Sequence, residues 1–255
     1  MANHCPCFCG IWCGVLLYSC RYWDVMEINL DYNRPLYIIG DIHGCYKTLC
    51  ALIEKLPYKE DSQIIFVGDL VDRGAESFGV VEFVKNGKYP CVLGNHEELM
   101  LEYYEYAIPQ NDGVWMVNGG RETIQSYAND GKVEHLKEHL EFFRSLPYCL
   151  EFDYKDELGR NLFVTHGFGL PFYGREISSK LCWSRLRNHN VIEYTGRETS
   201  VFNVFGHDVQ KDGVFLAKNF AAIDTGCVYY KKFENAALSA LEWPSKRVIS
   251  QKYCG

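Results

Sequence analysis

Aspartate, asparagine and histidine residues recur directly after short apolar runs in this sequence, and together these residue types can bind metal ions. Asp41 and His43 follow one such run. Residues two apart at the end of a strand point to the same side, so both side chains can contact one ion. Four later runs are followed by Asp69, Asn95, His166 and His207. A lone histidine after a strand is usually satisfied within the core, but five such positions together indicate a metal centre.

These positions require buried strands that end at one edge of a sheet. The apolar runs predict strands over 36–39, 63–67 and 91–93, alternating with helices over 46–56, 78–84 and 97–106. Open α/β sheets place their functional sites at the carboxyl ends of such strands. The second half predicts strands over 148–153, 161–165, 201–205, 221–224 and 237–241.

The segment of about 110–150 is predicted to be helical and insertion-like, with an amphipathic helix over 133–143. We expect this segment to cover the site rather than to build it. The whole pattern indicates one domain of the α/β (α+β) class, in which a central β-structure is flanked by helices.

Composition excludes several classes of protein. The chain has 255 residues, of which 47% are hydrophobic, enough for a sizeable core. Its formal net charge of −7 argues against a partner bound through nucleic-acid phosphates. The apolar stretch over 11–18 is too short for a membrane span, which needs about 20 residues. It also lacks the features of a secretory signal, so we expect a cytoplasmic protein without a membrane partner.

Twelve residues are cysteines, and five of them lie within the first twenty residues. The others are dispersed among apolar residues, as is typical of reduced core cysteines. Residues 1–25 are expected to be a disordered or dispensable extension, with Met26 as the working start, and residues 26–255 the catalytic domain. Zinc binding by Cys5, Cys7, Cys9 and Cys13 is the weaker alternative, since no matching downstream pair accompanies them.

The segments GDIHG (40–44), GDLVDRG (68–74) and GNHE (94–97), followed by an isolated His-Gly and Gly-His, resemble the phosphoprotein phosphatase branch of the calcineurin-like metallophosphoesterases. The resemblance extends over about 36–228, and the chain is most similar to the small bacterial and bacteriophage (lambda-phosphatase-like) members. It implies a β-sandwich flanked by helices, with a two-metal site at the strand ends.

The resemblance also implies how the metals are held. Asp41, His43 and Asp69 would bind one divalent ion, Asp69 would bridge both, and Asn95, His166 and His207 would bind the other. Mixed oxygen and nitrogen ligands suit Mn²⁺, with Fe or Zn²⁺ as alternatives. Such a pair can activate a shared water for in-line attack on a phosphomonoester.

By the same resemblance, His96 would act as the general acid and Asp72 would orient it. Arg73 and Arg185 would grip phosphoryl oxygens, with Arg187 as a rival for the second position. Asn95 and Arg121 are further candidates for substrate binding.

Several other residues near these motifs have open or supporting roles. Glu97 and Asp224 are expected to support the site from behind. Asp208, next to His207, would either repel a substrate phosphate or hold a metal-bound histidine. His135 and His139 lie four apart on a predicted helix, where a solvated helix face is favoured over a metal site.

The resemblance favours a protein serine/threonine phosphatase of broad specificity that acts on a phosphoprotein or a small phosphoester. The alternative is a bis(5'-nucleosyl)-tetraphosphatase, because the same six ligands would serve a phosphoanhydride equally well. An inactive binding module on the same scaffold is a third hypothesis, and the complete ligand set speaks against it.

Overall fold

The computed structural model describes residues 28, 30–106, 112–129, 131–175 and 177–255. The predictions for residues 1–25, including the cysteine cluster and the start at Met26, lie outside the described residues. None of the cysteines in the described part forms a disulfide. No helix found there has the length and apolar character needed to cross a membrane.

The first half of the chain alternates strands and helices, and the second half is richer in strands. The first half contains β1 (Leu36–Ile39), α1 (Tyr46–Lys55), β2 (Gln63–Phe66), α2 (Ser77–Asn86), α3 (Asn95–Tyr106), α4 (Asp112–Trp115), α5 (Arg121–Ala128) and α6 (Leu136–Ser145). The second half contains β3 (Cys149–Lys155), β4 (Asn161–Thr165), α7 (Lys180–Trp183), α8 (Val191–Gly196), β5 (Val201–Phe205), β6 (Phe215–Leu216), β7 (Phe220–Ala222), β8 (Ala237–Trp243) and β9 (Val248–Lys252).

The strands form two sheets. The first has the order β2-β1-β8-β9, in which β1 and β2 are parallel and the other pairs are antiparallel. The second has the order β3-β4-β5-β7-β6, with β4, β5 and β7 parallel and an antiparallel strand at each edge. Parallel neighbours bring their carboxyl ends to one edge, and that edge carries the candidate site.

Alternation along the strands explains why the sheets pack face to face. Leu36 and Ile38 of β1 are buried in one cluster with Val164 of β4 and Val204 of β5. Tyr37 and Ile39 belong instead to a second buried cluster with residues of the helices, such as Leu49. Because successive side chains of a strand point to opposite faces, β1 serves both clusters and is wholly buried. The predicted β-sandwich with flanking helices is confirmed.

One predicted strand is wrong. Residues 91–93 form a single parallel bridge between Cys91 and Phe66 rather than a strand. Val92 N still donates to Phe66 O at 3.1 Å, but Leu93 N donates to Pro147 O at 2.8 Å. The chain therefore leaves the sheet after one bridge, although Asn95 and His96, which follow, still lie at the candidate site.

Strands β6 and β9 were not predicted from the sequence. β9 alternates half-buried and exposed residues at the edge of its sheet and contains Ser250, Gln251 and Lys252. Such an edge strand is held by pairing with β8 rather than by burial of its side chains. Apolar periodicity cannot detect it.

Candidate metal centre and active site

The predicted metal ligands converge on the strand ends of both sheets. Asp41 and His43 follow β1 and Asp69 follows β2, whereas His166 follows β4 and His207 follows β5. All five side chains are buried. Asn95, the sixth predicted ligand, begins α3 and is buried as well.

Asp69 lies at the centre of this arrangement. Its Oδ2 is 3.4 Å from His43 Nε2, and its Oδ1 is 3.2 Å from His166 Nε2. Ligand atoms of Asp69, His43 and His96 lie within 4.8 Å of one another, and so do those of Asp69, His166 and His207. Asp69 is common to both groups, which is the arrangement that a bridging carboxylate requires.

The imidazoles of His43 and His166 present the correct nitrogen for metal binding. His43 Nδ1 lies 2.8 Å from Val71 O and His166 Nδ1 lies 2.7 Å from Val67 O. A carbonyl oxygen can only accept, so Nδ1 carries the proton and Nε2 keeps its lone pair. His166 Nε2 also lies 2.9 Å from Asn95 Oδ1.

Asp41 joins the site differently from His43. Its Oδ2 accepts a hydrogen bond from His207 N at 2.9 Å. Asp41 Oδ1 and His207 Nε2 are buried and have no hydrogen-bond partner in the described part of the chain. Buried polar atoms without partners are costly, and a bound cation would satisfy both. A Cβ on Gly206 would lie 1.9 Å from Asp41 Oδ1, so only glycine leaves this oxygen accessible.

The electrostatics of the site also favour cations. Burial, reinforced by Asp224 and Asp69, raises the pKa of Asp41 well above its ordinary value. Burial raises the pKa of Asp224 to about 6, and Asp69 adds to this effect. Burial, reinforced by the neighbouring imidazole of His166, lowers the pKa of His207 to about 2. Three carboxylates and a neutral imidazole are therefore buried together, and bound cations would offset their mutual repulsion.

His96, a member of the first of these groups, forms a buried pair with Asp72. His96 Nδ1 lies 2.6 Å from Asp72 Oδ2, and His96 Nε2 lies 4.0 Å from Asp69 Oδ2. Burial raises the pKa of Asp72 although the hydrogen bond from His96 opposes the shift. A carboxylate that accepts from Nδ1 fixes the ring and leaves Nε2 facing the clusters, as proton transfer at Nε2 requires.

The helical segment after α3 builds part of the site, so the prediction that it only covers the site is wrong. Trp115 Nε1 donates to Asp72 Oδ2 at 2.9 Å, and Thr123 Oγ1 donates to Asp72 Oδ1 at 2.7 Å. Between them, in a π-helical turn over Met116–Gly120, Gly119 O accepts from Arg73 N at 3.2 Å. A Cβ on Gly119 would lie 2.4 Å from Arg73 N, so this close approach requires glycine.

Thr123 braces Asp72 twice, because its hydroxyl also accepts from Asp72 N at 2.9 Å. We expect Thr123→Val to lower kcat about tenfold, the scale found for residues that orient a functional side chain. KM should stay the same, since Thr123 is buried and lies behind Asp72. Steady-state kinetics on p-nitrophenyl phosphate checks this, with Thr123→Ser as the matched control that restores kcat. A valine variant with unchanged kcat would contradict the role.

Glu97 joins the loops that carry Asp69 and Asn95. Its Oε2 accepts from Asp69 N at 2.8 Å and Gly94 N at 3.1 Å, and its Oε1 accepts from Leu70 N at 2.8 Å and Val71 N at 3.2 Å. Burial and the charge of Asp69 raise its pKa to about 7. The proposed supporting role of Glu97 thus takes the form of four backbone hydrogen bonds.

Glu97→Gln should lower the free energy of unfolding by about 3 kcal/mol, because an amide group cannot accept at both of its ends and leaves buried N–H groups unpaired. Urea denaturation at neutral pH measures this effect. Glu122→Gln, at an exposed position of α5, is the matched control and should be neutral. Equal stability of the two variants would show that the four hydrogen bonds contribute little.

The two candidate arginines after residue 180 are separated by the structure. Arg185 Nη1 donates to His207 O at 3.3 Å, whereas Arg187 is exposed on a 3₁₀ turn. Asp208 Oδ2 accepts from Leu186 N at 2.9 Å, and its Oδ1 lies 3.8 Å from Arg185 Nη1. Asp208 therefore holds the segment that carries Arg185, a role that neither sequence hypothesis included.

The other two candidate arginines both lie near the Gly119 turn. Arg73 Nη1 contacts His43 Nε2, so its guanidinium group lies against the lone pair of a predicted metal ligand. Arg121 is exposed at the first residue of α5, two residues after Gly119.

The pair His135 and His139 does not form a solvated helix face, contrary to the favoured interpretation. His139 is buried, with Nδ1 2.6 Å from Tyr127 Oη and Nε2 2.7 Å from Glu82 Oε1. His135 is partly exposed and stacks edge-on against Phe78. His139 thus joins α2, α5 and α6 through two side-chain hydrogen bonds.

The backbone is strained at the site. Eight non-glycine residues in the described part have positive φ, and five of them are His43, Asp69, Asp72, Arg73 and His207. Such conformations cost free energy and persist only where the surrounding structure holds them. The same loops therefore carry the predicted ligands and the strain.

Comparison with known proteins agrees with this geometry. The model of the calcineurin-like phosphoesterase family matches residues 34–237. Serine/threonine-protein phosphatase 2 of Salmonella typhimurium is 29% identical over 217 residues, which cover 81% of this chain and 92% of that protein. The symmetrical bis(5'-nucleosyl)-tetraphosphatase of Coxiella burnetii is 44% identical over 77 residues, or 29% of this chain and 26% of that protein.

A crystal structure provisionally assigned as a diadenosine tetraphosphatase has a TM-score of 0.60 at 23% identity and covers 87% of this chain and 95% of that one. This likeness shows the fold. The family model covers β1 to β7 and all the predicted ligands. The chain therefore belongs to the calcineurin-like phosphoesterase family and is a metal-dependent phosphatase.

Proposed function

We propose that the chain is a protein serine/threonine phosphatase that hydrolyses phosphomonoesters at the two ligand clusters around Asp69. The observation that carries this proposal is the Asp69 carboxylate shared by two groups of buried side chains, one of which includes His96, the partner of Asp72. The extended similarity to a bacterial protein phosphatase supports the choice of substrate class.

The residues present fit two divalent ions. Asp41, His43 and Asp69 would hold one ion, and Asp69, Asn95, His166 and His207 the other. The unpartnered Asp41 Oδ1 and His207 Nε2 supply one oxygen and one nitrogen donor, and mixed donors of this kind suit Mn²⁺. Two such ions, when bound, neutralise charge on the phosphoryl group and lower the pKa of water.

The remaining residues would bind the substrate and move a proton. Arg73 and Arg185 border the site and carry planar guanidinium groups that match phosphoryl oxygens. Asn95 and the exposed Arg121 would add further contacts. His96 would donate a proton from Nε2 to the leaving oxygen, because a serine alkoxide is too basic to leave unprotonated. Asp72 would hold the ring throughout.

The alternative activity is hydrolysis of a dinucleoside tetraphosphate. It is favoured by the short match to the bis(5'-nucleosyl)-tetraphosphatase, which has higher identity but covers under a third of either protein. The chemistry at the site would be nearly identical, so substrate preference must separate the two. A binding module without activity is disfavoured by the complete set of buried ligands.

Three substrates distinguish the activities. Purified protein with Mn²⁺ is assayed on p-nitrophenyl phosphate, a phosphoserine peptide and diadenosine tetraphosphate. We expect turnover of the first two and a lower kcat/KM for the nucleotide. Preference for the nucleotide would replace the proposed activity by the alternative. Absence of turnover on all three, with metal bound, would favour the inactive module.

The N-terminal extension is proposed to be dispensable for this activity. The family match begins at residue 34, after the cysteine-rich stretch. A variant lacking residues 1–25 should therefore keep kcat/KM within about twofold, less than the effect of losing one hydrogen bond. The assay on p-nitrophenyl phosphate tests this, and a larger loss would assign the extension a catalytic role.

We also propose a cytoplasmic location, because of the bacterial relatives, and no nucleic-acid partner, because of the acidic composition.

A further inference from the structure

A cavity of about 450 Å³ adjoins the candidate active site on the side of Arg73. We call it the basic groove and define it by the lining residues Lys47, Arg73, Glu76, Tyr230, Lys231 and Tyr253. Arg73 belongs to both places, since its Nη1 also contacts His43 Nε2. A substrate whose phosphoryl group lies on Arg73 would therefore place its neighbouring atoms in this groove.

The side chains that line the groove carry a net positive charge although the chain as a whole is acidic. Three lining side chains are basic, namely Arg73 and the exposed Lys47 and Lys231, whereas only one, Glu76, is acidic. Glu76 Oε2 is 3.4 Å from the backbone N of Lys47, so part of its charge is directed at the backbone. The formal net charge of the chain is −7, and this local excess of positive charge would attract an anionic group.

One wall of the groove is formed by two stacked aromatic rings. The rings of Tyr230 and Tyr253 are parallel, with centroids 3.6 Å apart. Lys231 Nζ lies 5.4 Å from the centroid of the Tyr230 ring. Stacking on Tyr253 restricts the Tyr230 side chain, so the lysine stands beside a stiff apolar surface rather than in open solvent. Such a wall can pack against the methylene groups of a bound side chain.

We propose that the basic groove binds an acidic residue next to the phosphorylated serine or threonine of the substrate protein. This inference rests on the proposed phosphatase function and adds a preference for the substrate residues that flank the phosphorylated one. Aspartate, glutamate or a second phosphorylated residue has the required charge, and a few residues fit the volume. The groove would lower KM for such substrates without acting on the reacting atoms.

The test compares two phosphoserine peptides that differ only in the flanking residues, aspartate in one and asparagine in the other. Lys47→Glu and Lys231→Glu are made singly and together. The double variant should raise KM for the aspartate peptide about tenfold, as expected for reversal of two exposed charges. KM for the asparagine peptide and for p-nitrophenyl phosphate should stay within about twofold. Lys55→Glu with Lys137→Glu, two exposed lysines outside the groove, is the matched control.

The outcomes separate the groove from the proposed function. If the unmodified protein turns over both peptides with equal KM, the proposed role of the groove is wrong, whereas the phosphatase function still holds. No turnover of either peptide would overturn the phosphatase function, and the groove proposal with it. If the lysine variants impair diadenosine tetraphosphate hydrolysis and spare the aspartate peptide, the groove binds a nucleotide and the proposal is wrong. Loss of the preference for aspartate at high ionic strength would support it.

Discussion

His96→Asn should lower kcat by about 10²–10⁴-fold on a phosphoserine peptide, the range found for loss of a general acid. The physical reason is the buried hydrogen bond between His96 Nδ1 and Asp72, which leaves Nε2 as the group that faces the ligand clusters. Asparagine fills part of the same space but cannot release a proton. Metal content, measured by mass spectrometry of the purified variant, should not change.

Dependence on the leaving group distinguishes proton donation from a merely structural role. p-Nitrophenolate is a weak base and leaves without a proton, so the variant should lose far less activity on p-nitrophenyl phosphate than on the peptide. His135→Asn, at a partly exposed position outside the site, is the matched control and should keep the kcat of the unmodified protein on both substrates. Equal losses on both substrates would contradict the assignment of His96 as the acid.

Asp69→Asn should abolish both metal binding and turnover. Asp69 Oδ2 and Oδ1 face His43 and His166, so one substitution removes a negatively charged donor from each cluster. Burial raises the pKa of Asp69, but the neighbouring imidazoles of His166, His96 and His43 together hold it well below its ordinary value, so the carboxylate is ionised and available to cations. We expect the variant to retain little bound metal after gel filtration.

The control for this prediction is Asp212→Asn, at an exposed position in a turn, which should keep its metal and its activity. Circular dichroism excludes the trivial explanation that Asp69→Asn fails to fold. If the folded variant kept both ions, the bridging assignment of Asp69 would be wrong. If it lost one ion only, Asp69 would belong to a single cluster.

Much of the fold was predictable because its central strands are buried on both faces. β4 and β5 coincide with the predicted ranges 161–165 and 201–205, since continuous apolar runs bounded by polar residues mark such strands. The predicted ligands were also identifiable, because they immediately follow these strands. Their convergence follows from the parallel pairing of β1 with β2 and of β4 with β5.

The contributions of the helical segment were not predictable in the same way. Trp115 and Thr123 lie more than forty residues from Asp72 in sequence, and they contact it through side-chain hydrogen bonds to a buried carboxylate. No periodicity in the sequence around Trp115 or Thr123 predicts a contact with Asp72. The residues Asn118-Gly119-Gly120 are typical of a turn, but only the structure shows that Gly119 O accepts a hydrogen bond from Arg73 N. Likewise, the sequence near Leu93 does not indicate that its backbone N donates to Pro147 O, more than fifty residues later, instead of extending the sheet.

The division of ligands between the two sheets has a consequence for folding. His43 approaches Asp69 from the sheet that contains β1 and β2, whereas His166 and His207 approach it from the sheet that contains β4 and β5. Ions bound on both sides of Asp69 would cross-link the two halves of the sandwich at their shared edge. Binding free energy would then become folding free energy, about 2.7 kcal/mol for one ion at a hundred times its Kd. Metal supply would govern how long the molecule survives as well as how fast it reacts.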